Sequence, residues 1–409
     1  MASFFETEPA PGPVPISGLT VEADEEVAVL VELAKRSHAV ITANQDPNGA
    51  YPACPTFSAY KGYAWLRDGA FTAEGISRFG NVESADRFHD WANHVLTGRR
   101  DAVHNLVAAA RDGRRPSNEM MLPARFTLAG DDGSEPWRDF QTDGYGMWLW
   151  SAVTHARRHS KDLDRWRRGI EVAVDYLTAF WDTPCYDWWE ENVEYRHVST
   201  LAAIYGGLRF TVEAGVLDPG RRQNSIVAAE AIRALVLSQG VAEGHLSKWL
   251  GTSAVDGSLA ACVVPFGLLG IDDPIALATI AAVACDLDVN GGVHRFRADV
   301  FYGGGQWPLL SALLGWNLAV RGDTQAALRY LRWMAAQANA DGDLPEQVPT
   351  HLLHPANRQE WVDRWGAVAT PLLWSHGMYL ILADELGLTR WNDPLTATTH
   401  LPPPRRHEP

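Results

Sequence analysis

The spacing of apolar residues is the feature that most restricts how this chain can fold. Apolar side chains recur every three or four residues, as in the stripe of Leu163, Trp166, Ile170, Val174 and Leu177. This period is typical of an amphipathic α-helix, whereas the alternation typical of strands is scarce. The pattern predicts twelve helices, near residues 21–37, 68–79, 84–97, 144–159, 163–181, 197–215, 219–239, 258–269, 274–287, 306–321, 323–338 and 371–386.

The connections between these helices alternate between short and long. Six short turns alternate with six long connections, at 38–67, 98–143, 182–196, 240–257, 288–305 and 339–370. Helical hairpins joined in this way are expected to form an all-α ring, an α/α toroid, which closes its core without sheet edges. The long connections would gather at one end of the ring and build a pocket there.

Local signals mark several helix boundaries. Asp323 is a suitable N-cap for the eleventh helix, and Gly322 before it suits the end of the tenth. Pro371 is expected to begin the twelfth helix and Gly387 to stop it.

The predicted helices form one continuous domain. We expect a catalytic domain over residues 20–390, preceded by a loose arm at 1–19 and followed by a proline-rich tail at 391–409. No linker rich in Pro, Gly or Ser divides the domain, and the chain has no room for an additional N-terminal β-sandwich.

Composition excludes several classes of partner. The net charge of −15 disfavours nucleic acid and anionic membranes. Four scattered cysteines without a CxxC pair, and no His/Asp/Glu cluster with ligand spacing, predict no metal site. The first thirty residues lack the apolar segment of a signal peptide, and no apolar run of about 20 residues could span a membrane. A cytoplasmic location with free thiols is predicted.

The stretch from Cys185 to Asn192 (Cys-Tyr-Asp-Trp-Trp-Glu-Glu-Asn) carries the first candidate for catalysis. Adjacent carboxylates repel, so a purely structural loop gains little by keeping Glu190 beside Glu191. Indole faces suit the apolar face of a sugar, and a carboxyl among them would stay protonated more easily. Glu190 is therefore a candidate general acid. The alternative is an exposed acidic turn beside core tryptophans.

A second carboxylate is needed for an inverting glycosidase, in which a base activates water across the sugar from the acid. Glu346, within Asp341 to Gln347, is the candidate because a distant loop can place it opposite Glu190. The alternative for a lone loop glutamate is a solvated side chain.

Three further segments lie in or beside long connections. In the first, Arg67 and Asp68 could hold sugar hydroxyls, or instead pair with a surface acid and cap a helix. In the second, Trp137 is a candidate stacking platform, and Asp143 is interpreted as the N-cap of the fourth helix. In the third, residues 295–308, three successive glycines indicate a close backbone turn rather than a phosphate loop, because no Lys-Ser/Thr pair follows.

Taken together, the five segments resemble glycoside hydrolase family 15, the glucoamylase-like family, in order and spacing from Trp65 to Trp374. The matching segments are Trp65-Leu66-Arg67-Asp68, Trp137 with Gln141-Thr142-Asp143-Gly144, Tyr186-Asp187-Trp188-Trp189-Glu190-Glu191, Arg295 with Asp299, Tyr302 and Trp307, Leu344-Pro345-Glu346-Gln347, and Trp374-Ser375-His376. The resemblance implies an (α/α)6 barrel, hydrolysis with inversion, release of β-D-glucose from a non-reducing end, and no cofactor.

The resemblance also implies roles for individual residues. Glu190 would be the general acid and Glu346 the general base. A family tyrosine that touches the attacking water would be Tyr60 or Tyr63, which both lie near its place, and Tyr60 is taken as the candidate. The expected substrate-binding residues are Tyr60, Trp65, Arg67, Asp68, Trp137, Trp189, Glu191, Arg295, Tyr302 and Trp307.

The substrate expectation follows from domain content and location. The single-domain, intracellular members that this chain resembles act on isomaltose and other short α-1,6-glucosides. Hydrolysis of α-1,4 maltooligosaccharides or trehalose stays open, because the choice depends on the site for the leaving sugar, with Trp137, Trp189, Trp361 and Trp365 as its expected walls. An inactive sugar-binding toroid is the remaining alternative.

Overall fold

The computed structural model describes residues 21–114 and 116–389. The predicted arm at 1–19 and the tail at 391–409 lie outside these residues. Within them the α-helices are α1 (Val21–Asn44), α2 (Leu66–Phe79), α3 (Val82–Gly98), α4 (Arg100–Arg111), α5 (Asp143–Arg158), α6 (Arg167–Phe180), α7 (Val198–Ala214), α8 (Pro219–Gln239), α9 (Pro274–Leu287), α10 (Pro308–Val320), α11 (Thr324–Ala335), α12 (Arg358–Trp365) and α13 (Leu373–Glu385).

The strands are short and belong to the connections. They are β1 (Tyr63–Trp65), β2 (Arg125–Thr127), β3 (Val241–Ala242), β4 (His245–Leu246), β5 (Asp288–Val289), β6 (Gly292–His294) and β7 (Gln306–Trp307). All pairings are antiparallel, and β1 joins β2 with Trp65 opposite Arg125. This small sheet fixes the connection that precedes α2.

Six inner elements close a ring. In order around it, α2 packs against α5, α5 against α7, α7 against the 3-10 helix Gly257–Cys262, this segment against α10, α10 against α13, and α13 against α2. Helices α1, α3, α6, α8, α9 and α11 pack outside them. The chain alternates between outer and inner positions, so six hairpins form an (α/α)6 barrel, as predicted.

Burial distinguishes the two layers. In α10 every residue from Pro308 to Asn317 is buried, because its neighbours cover it on all sides. Outer α8 buries only Ser225, Ala228, Ile232 and Val236, which form one stripe. The burial of these two helices therefore follows from their positions in the inner and the outer layer.

Glycine allows the inner helices to approach closely. A Cβ on Gly207 of α7 would lie 2.4 Å from the carbonyl oxygen of Gly146 in α5. No larger side chain fits at this crossing without moving a helix backbone.

The prediction was wrong for the eighth helix. Only Gly257–Cys262 is helical there, in 3-10 form, and turns follow. Pro265 lies in the predicted span, and its missing N–H cannot continue an α-helix. Helices α4 and α12, within predicted long connections, were missed.

Several predicted boundary residues do what their types suggest. Asp323 caps α11 by accepting a hydrogen bond from the Ala326 amide at 3.2 Å, and Gly322 has a positive φ of 84°. Pro371 does not begin α13 as predicted, because the helix starts two residues later at Leu373; it ends at Glu385, two residues before Gly387, which has a φ of 77°. Among the described helices, none is both long and apolar enough to cross a membrane.

Candidate active site

One cavity of about 680 Å³ lies where the N-terminal ends of α2, α10 and α13 meet the connecting segments. Its aromatic lining consists of Phe57, Tyr60, Trp65, Trp137, Trp188, Trp189, Phe301, Trp307, Trp361, Trp365 and Trp374. Its charged lining consists of Arg67, Asp68, Arg138, Glu190, Glu191, Arg295, Glu346 and Arg364. Flat rings with a few convergent charges suit a small carbohydrate.

Glu190 enters this cavity from the turn Asp187–Asn192, which we call the acid loop. Its Oε1 accepts a hydrogen bond from Nε1 of Trp65 at 2.8 Å, and Nη2 of Arg67 lies 3.7 Å away. Arg138 donates to the backbone carbonyl of Glu190 at 2.9 Å. The side chain is 17% exposed, so its carboxyl is fixed in direction yet open to the cavity.

Glu346 enters from residues 344–348, which we call the base loop, and is 3% exposed. Its Oε1 accepts a hydrogen bond from the Tyr60 hydroxyl at 2.9 Å. Its Oε2 has no hydrogen-bond partner among the residues that the structure describes. That oxygen is therefore a buried acceptor without a partner inside the protein.

Burial is the main reason that the pKa of Glu346 is raised to about 8. Hydrogen bonding by Tyr60 and the charge of Arg295 oppose this rise, whereas Asp68 and Glu190 add to it. The proton on Glu346 therefore depends on the other carboxyls of the cavity.

The two glutamates, far apart in sequence, share this cavity. Tyr60, which binds Glu346, packs edge-on against Trp65, which binds Glu190, with ring centroids 5.5 Å apart. Neighbouring aromatic rings thus hold the two carboxyls at separate points of one cavity.

Arg67 and Asp68 lie in the first turn of α2. Arg67 donates to Gln141 and to Asp143 Oδ2, the latter at 3.1 Å. Burial raises the pKa of Asp68 to about 7; Arg67 opposes this rise and Glu190 adds to it. Both side chains line the cavity and are restrained before any ligand binds.

The interpretation of Asp143 as an N-cap was wrong. Helix α5 begins at Asp143 itself, and its N-cap residue Thr142 makes no side-chain capping bond. Asp143 is completely buried and pairs with Arg67. A short acid before a helix suggested a cap, but the buried guanidinium opposite it decides its orientation.

Arg295 forms the second charged group. It is hydrogen-bonded by Nε to Oδ2 of buried Asp299 at 2.8 Å, and its Nη2 lies 3.3 Å from Glu191 Oε1. The guanidinium carbon lies 5.3 Å from the ring centroids of both Trp189 and Trp307. Burial raises the pKa of Glu191, although Arg295 opposes the rise.

The structure brings nearly all the predicted site residues to this cavity; Tyr302 is the exception. Tyr302 is 1% exposed and donates to the carbonyl of Gly366 at 3.2 Å. It lies behind the wall, and Phe301 before it lines the cavity. Its position does not support a direct role in substrate binding.

Sequence reasoning missed Phe57, Phe301, Arg138 and Arg364 as lining residues. Arg138 and Phe301 lie inside segments that were singled out, so proximity to a motif was an available signal. Trp361 and Trp365, expected at the leaving-sugar side, do line the cavity.

Within the described part of the chain, no group of three or more His, Cys, Asp or Glu side chains is arranged to hold a metal ion.

Comparison with known proteins agrees with this geometry. The sequence profile described as "Glycosyl hydrolases family 15" matches residues 32–362. An isomaltose glucohydrolase from Kribbella flavida is 71% identical over 365 residues, which cover 89% of this chain and 94% of that protein.

Solved structures resemble the fold as well. A wild-type glycosidase superposes with a TM-score of 0.88 and 69% identity, covering 91% of this chain and all of that one. A glycosidase in complex with glucose gives the same values. A glucoamylase from Saccharomycopsis fibuligera is only 15% identical, but it has a TM-score of 0.69 over 92% of this chain and 97% of its own. The fold is therefore similar even where the sequences have diverged.

Proposed function

Because this chain belongs to glycosyl hydrolases family 15, we propose that Glu190 is the general acid and Glu346 the general base of an inverting, exo-acting α-glucosidase. The chain is a glycoside hydrolase. The observation that carries the assignment is that both carboxyls, from distant loops, line one aromatic cavity. The proposal keeps residues 20–390 as the catalytic domain and the cytoplasm as the location.

The reaction needs two proton transfers on opposite sides of one glucose. Protonated Glu190 gives its proton to the glycosidic oxygen, and the bond from this oxygen to C1 breaks. Water attacks C1 from the other face and gives a proton to the Glu346 carboxylate. The products are β-D-glucose and the shortened sugar, and the two glutamates then exchange protons with solvent.

The remaining charged side chains bind the terminal glucose. Arg67 with Asp68, and Arg295 with Glu191, supply donors and acceptors that are already restrained by protein partners. Restrained groups lose little freedom when they bind, so they favour one orientation of the ring. Trp65, Trp137, Trp189 and Trp307 supply apolar surface beside them.

We assign isomaltose and short α-1,6-glucooligosaccharides as substrates. The 71% identity to a protein named isomaltose glucohydrolase supports this assignment, and the cavity volume suits a short sugar. Initial rates on isomaltose, maltose and trehalose test it, and faster hydrolysis of either of the last two would overturn it. Proton NMR of the first anomer released tests inversion.

The catalytic pair is tested with Glu190→Gln and Glu346→Gln. Each should lower kcat on isomaltose by about 10³-fold or more, because each removes a proton-transfer group. Glu194→Gln is the matched control, since Glu194 is exposed, lies two residues past the acid loop and does not line the cavity. Unchanged hydrolysis in both site variants would overturn the catalytic assignment, whereas a purified wild type that hydrolyses none of the three sugars would favour an inactive sugar-binding toroid.

A further inference from the structure

Lys248 is a buried lysine outside the cavity lining. It is 4% exposed and lies between β4 and the segment Gly257–Cys262. Its Nζ is 3.2 Å from Asp187 Oδ2 and also donates to Asp256 Oδ2. The same ammonium lies 3.8 Å from the ring centroid of Phe296. A cation buried so completely requires carboxylate partners, and it has two.

Asp187 organises the acid loop. Its Oδ1 accepts hydrogen bonds from the amides of Trp189 and Glu191, both at 2.9 Å. Its backbone pairs with Glu191 and Glu190, each at 3.0 Å. Glu190 itself has a φ of 64°, a left-handed conformation that non-glycine residues adopt rarely and that surrounding contacts must maintain.

Asp256 fixes the indole beside the acid loop. Its two carboxylate oxygens accept from Nε1 of Trp189 at 3.2 and 2.9 Å. Ser258 adds its amide, at 2.9 Å, and its hydroxyl, at 2.6 Å, to Oδ1. Trp189 lines the cavity, so Asp256 orients one wall while Asp187 shapes the turn.

Lys248 stays charged in this setting, and Asp187 does too. Burial alone would lower the pKa of Lys248, but Asp256 and Asp187 outweigh it and raise this pKa. Burial alone would raise the pKa of Asp187, but Lys248 and His197 outweigh it and lower this pKa. Lys248 therefore links two buried acids electrostatically, and each acid restrains a different part of the site.

We propose that Lys248 is a positioning residue for the acid, which holds the loop carrying Glu190 against Trp189 through Asp187 and Asp256. The proposal rests on the assignment of Glu190 as general acid. Lys248 contacts no substrate; it acts by keeping the Glu190 carboxyl aimed at the glycosidic oxygen. A shift of about 1 Å in such a group can cost roughly 10²-fold in rate.

The test compares two substrates that need the acid to different degrees. Isomaltose has a sugar alcohol as leaving group, which must be protonated, whereas α-D-glucosyl fluoride releases fluoride with little need of a proton donor. Lys248→Met keeps an unbranched side chain near Phe296 and removes the charge. We expect kcat on isomaltose to fall about 10²-fold and kcat on the fluoride to fall no more than a few-fold.

A second variant and a matched control accompany it. Asp187→Asn keeps an oxygen for the two amides but weakens the bond to Lys248, and should show the same preferential loss, about tenfold. It decides the question by the same criterion if Lys248→Met does not fold. The control is Lys161→Met, which removes a lysine paired with Asp86 away from the cavity and should leave the ratio of the two rates unchanged.

The outcomes separate this inference from the assignment of the acid. Equal losses on both substrates, or none, in a folded variant would show that Lys248 does not act through the acid. Glu190→Gln is measured alongside. A preferential loss in Glu190→Gln alone overturns only the role of Lys248, whereas no preferential loss in Glu190→Gln overturns the assignment of Glu190.

Discussion

The acid loop and the base loop meet at one cavity but are held by different forces. The acid loop is fixed by a buried lysine between two aspartates and contains a residue with positive φ. The base loop is fixed by neutral groups: the Ser375 hydroxyl donates to the Pro345 carbonyl at 2.8 Å, and His376 Nε2 accepts from the Leu344 amide at 3.0 Å. Burial lowers the pKa of His376 to about 3, so the ring is neutral.

The different contacts that fix the two loops correspond to the different exposure of their carboxyls, Glu190 and Glu346. Glu190 is partly exposed on a turn that its own backbone does not favour, so strong charged contacts are needed to hold it. Glu346 is almost completely buried, and ordinary hydrogen bonds from α13 suffice because packing already limits its movement. Charged contacts therefore hold the acid loop, which is partly exposed, and packing holds the base loop, which is buried.

The largest effect is expected from Glu346→Gln, because it removes both the base and a buried ionisable group. The pKa of Glu346 is about 8 in the folded protein, against an ordinary value of 4.5. The folded state therefore binds more protons between these values, and the wild type loses stability as the pH rises from 4.5 to 8. The variant lacks this loss, so its advantage should grow with pH to the order of a few kcal/mol.

Thermal unfolding of both proteins at pH 5 and pH 9 checks this. An advantage that is equal at the two pH values would contradict the raised pKa of Glu346 in the folded protein.

The next effect is on the stability of the acid loop. Lys248→Met leaves Asp187 and Asp256 buried without their cation, and breaking a buried ion pair in this way costs about 3–5 kcal/mol. Chemical denaturation at pH 7 measures it. A cost below about 1 kcal/mol would remove the contrast between the two loops.

Tyr60→Phe should change the pH profile more than the fold. The Tyr60 hydroxyl lowers the pKa of Glu346, so its removal raises that pKa, and the acidic limb of kcat/KM should move to higher pH. We expect kcat to fall about tenfold, since a hydrogen bond to a charged group contributes roughly 1.5–3 kcal/mol. An acidic limb that does not move would mean that another group is the base.

The smallest effect is expected from Ser375→Ala. It removes one neutral hydrogen bond to the base loop, which contributes about 0.5–1.5 kcal/mol. The free energy of unfolding should fall by that amount with kcat nearly unchanged. A loss as large as that of Lys248→Met would show that the two loops are equally dependent on single contacts.

The sequence predicts the ring well because its helices bury apolar stripes. It misses α12, which is short and has no fully buried residue, and α4, whose stripe of Val103, Leu106, Val107 and Ala110 lies within a span interpreted as a long connection. The prediction of the eighth helix, at 258–269, is wrong for another reason: the segment is apolar enough, but Pro265 prevents a regular α-helix.

The active site, too, is predicted only in part from the sequence. Short motifs predict the residues that line the cavity, but not the partners that hold them. The sequence does not reveal that Lys248 pairs with Asp187 and Asp256, because only the fold brings the two carboxylates to one ammonium. The orientation of Asp143 likewise depends on Arg67 of the neighbouring helix α2.

The way the inner helices point has an electrostatic consequence. Helices α2, α10 and α13 all begin at the cavity, so the positive ends of their backbone dipoles face Asp68, Glu190, Glu191 and Glu346. Each dipole favours a nearby negative charge by about 0.3–1 kcal/mol. A chain with a net charge of −15 can therefore gather four carboxyls in one small space, because the helix ends add a positive field to the charges of Arg67 and Arg295.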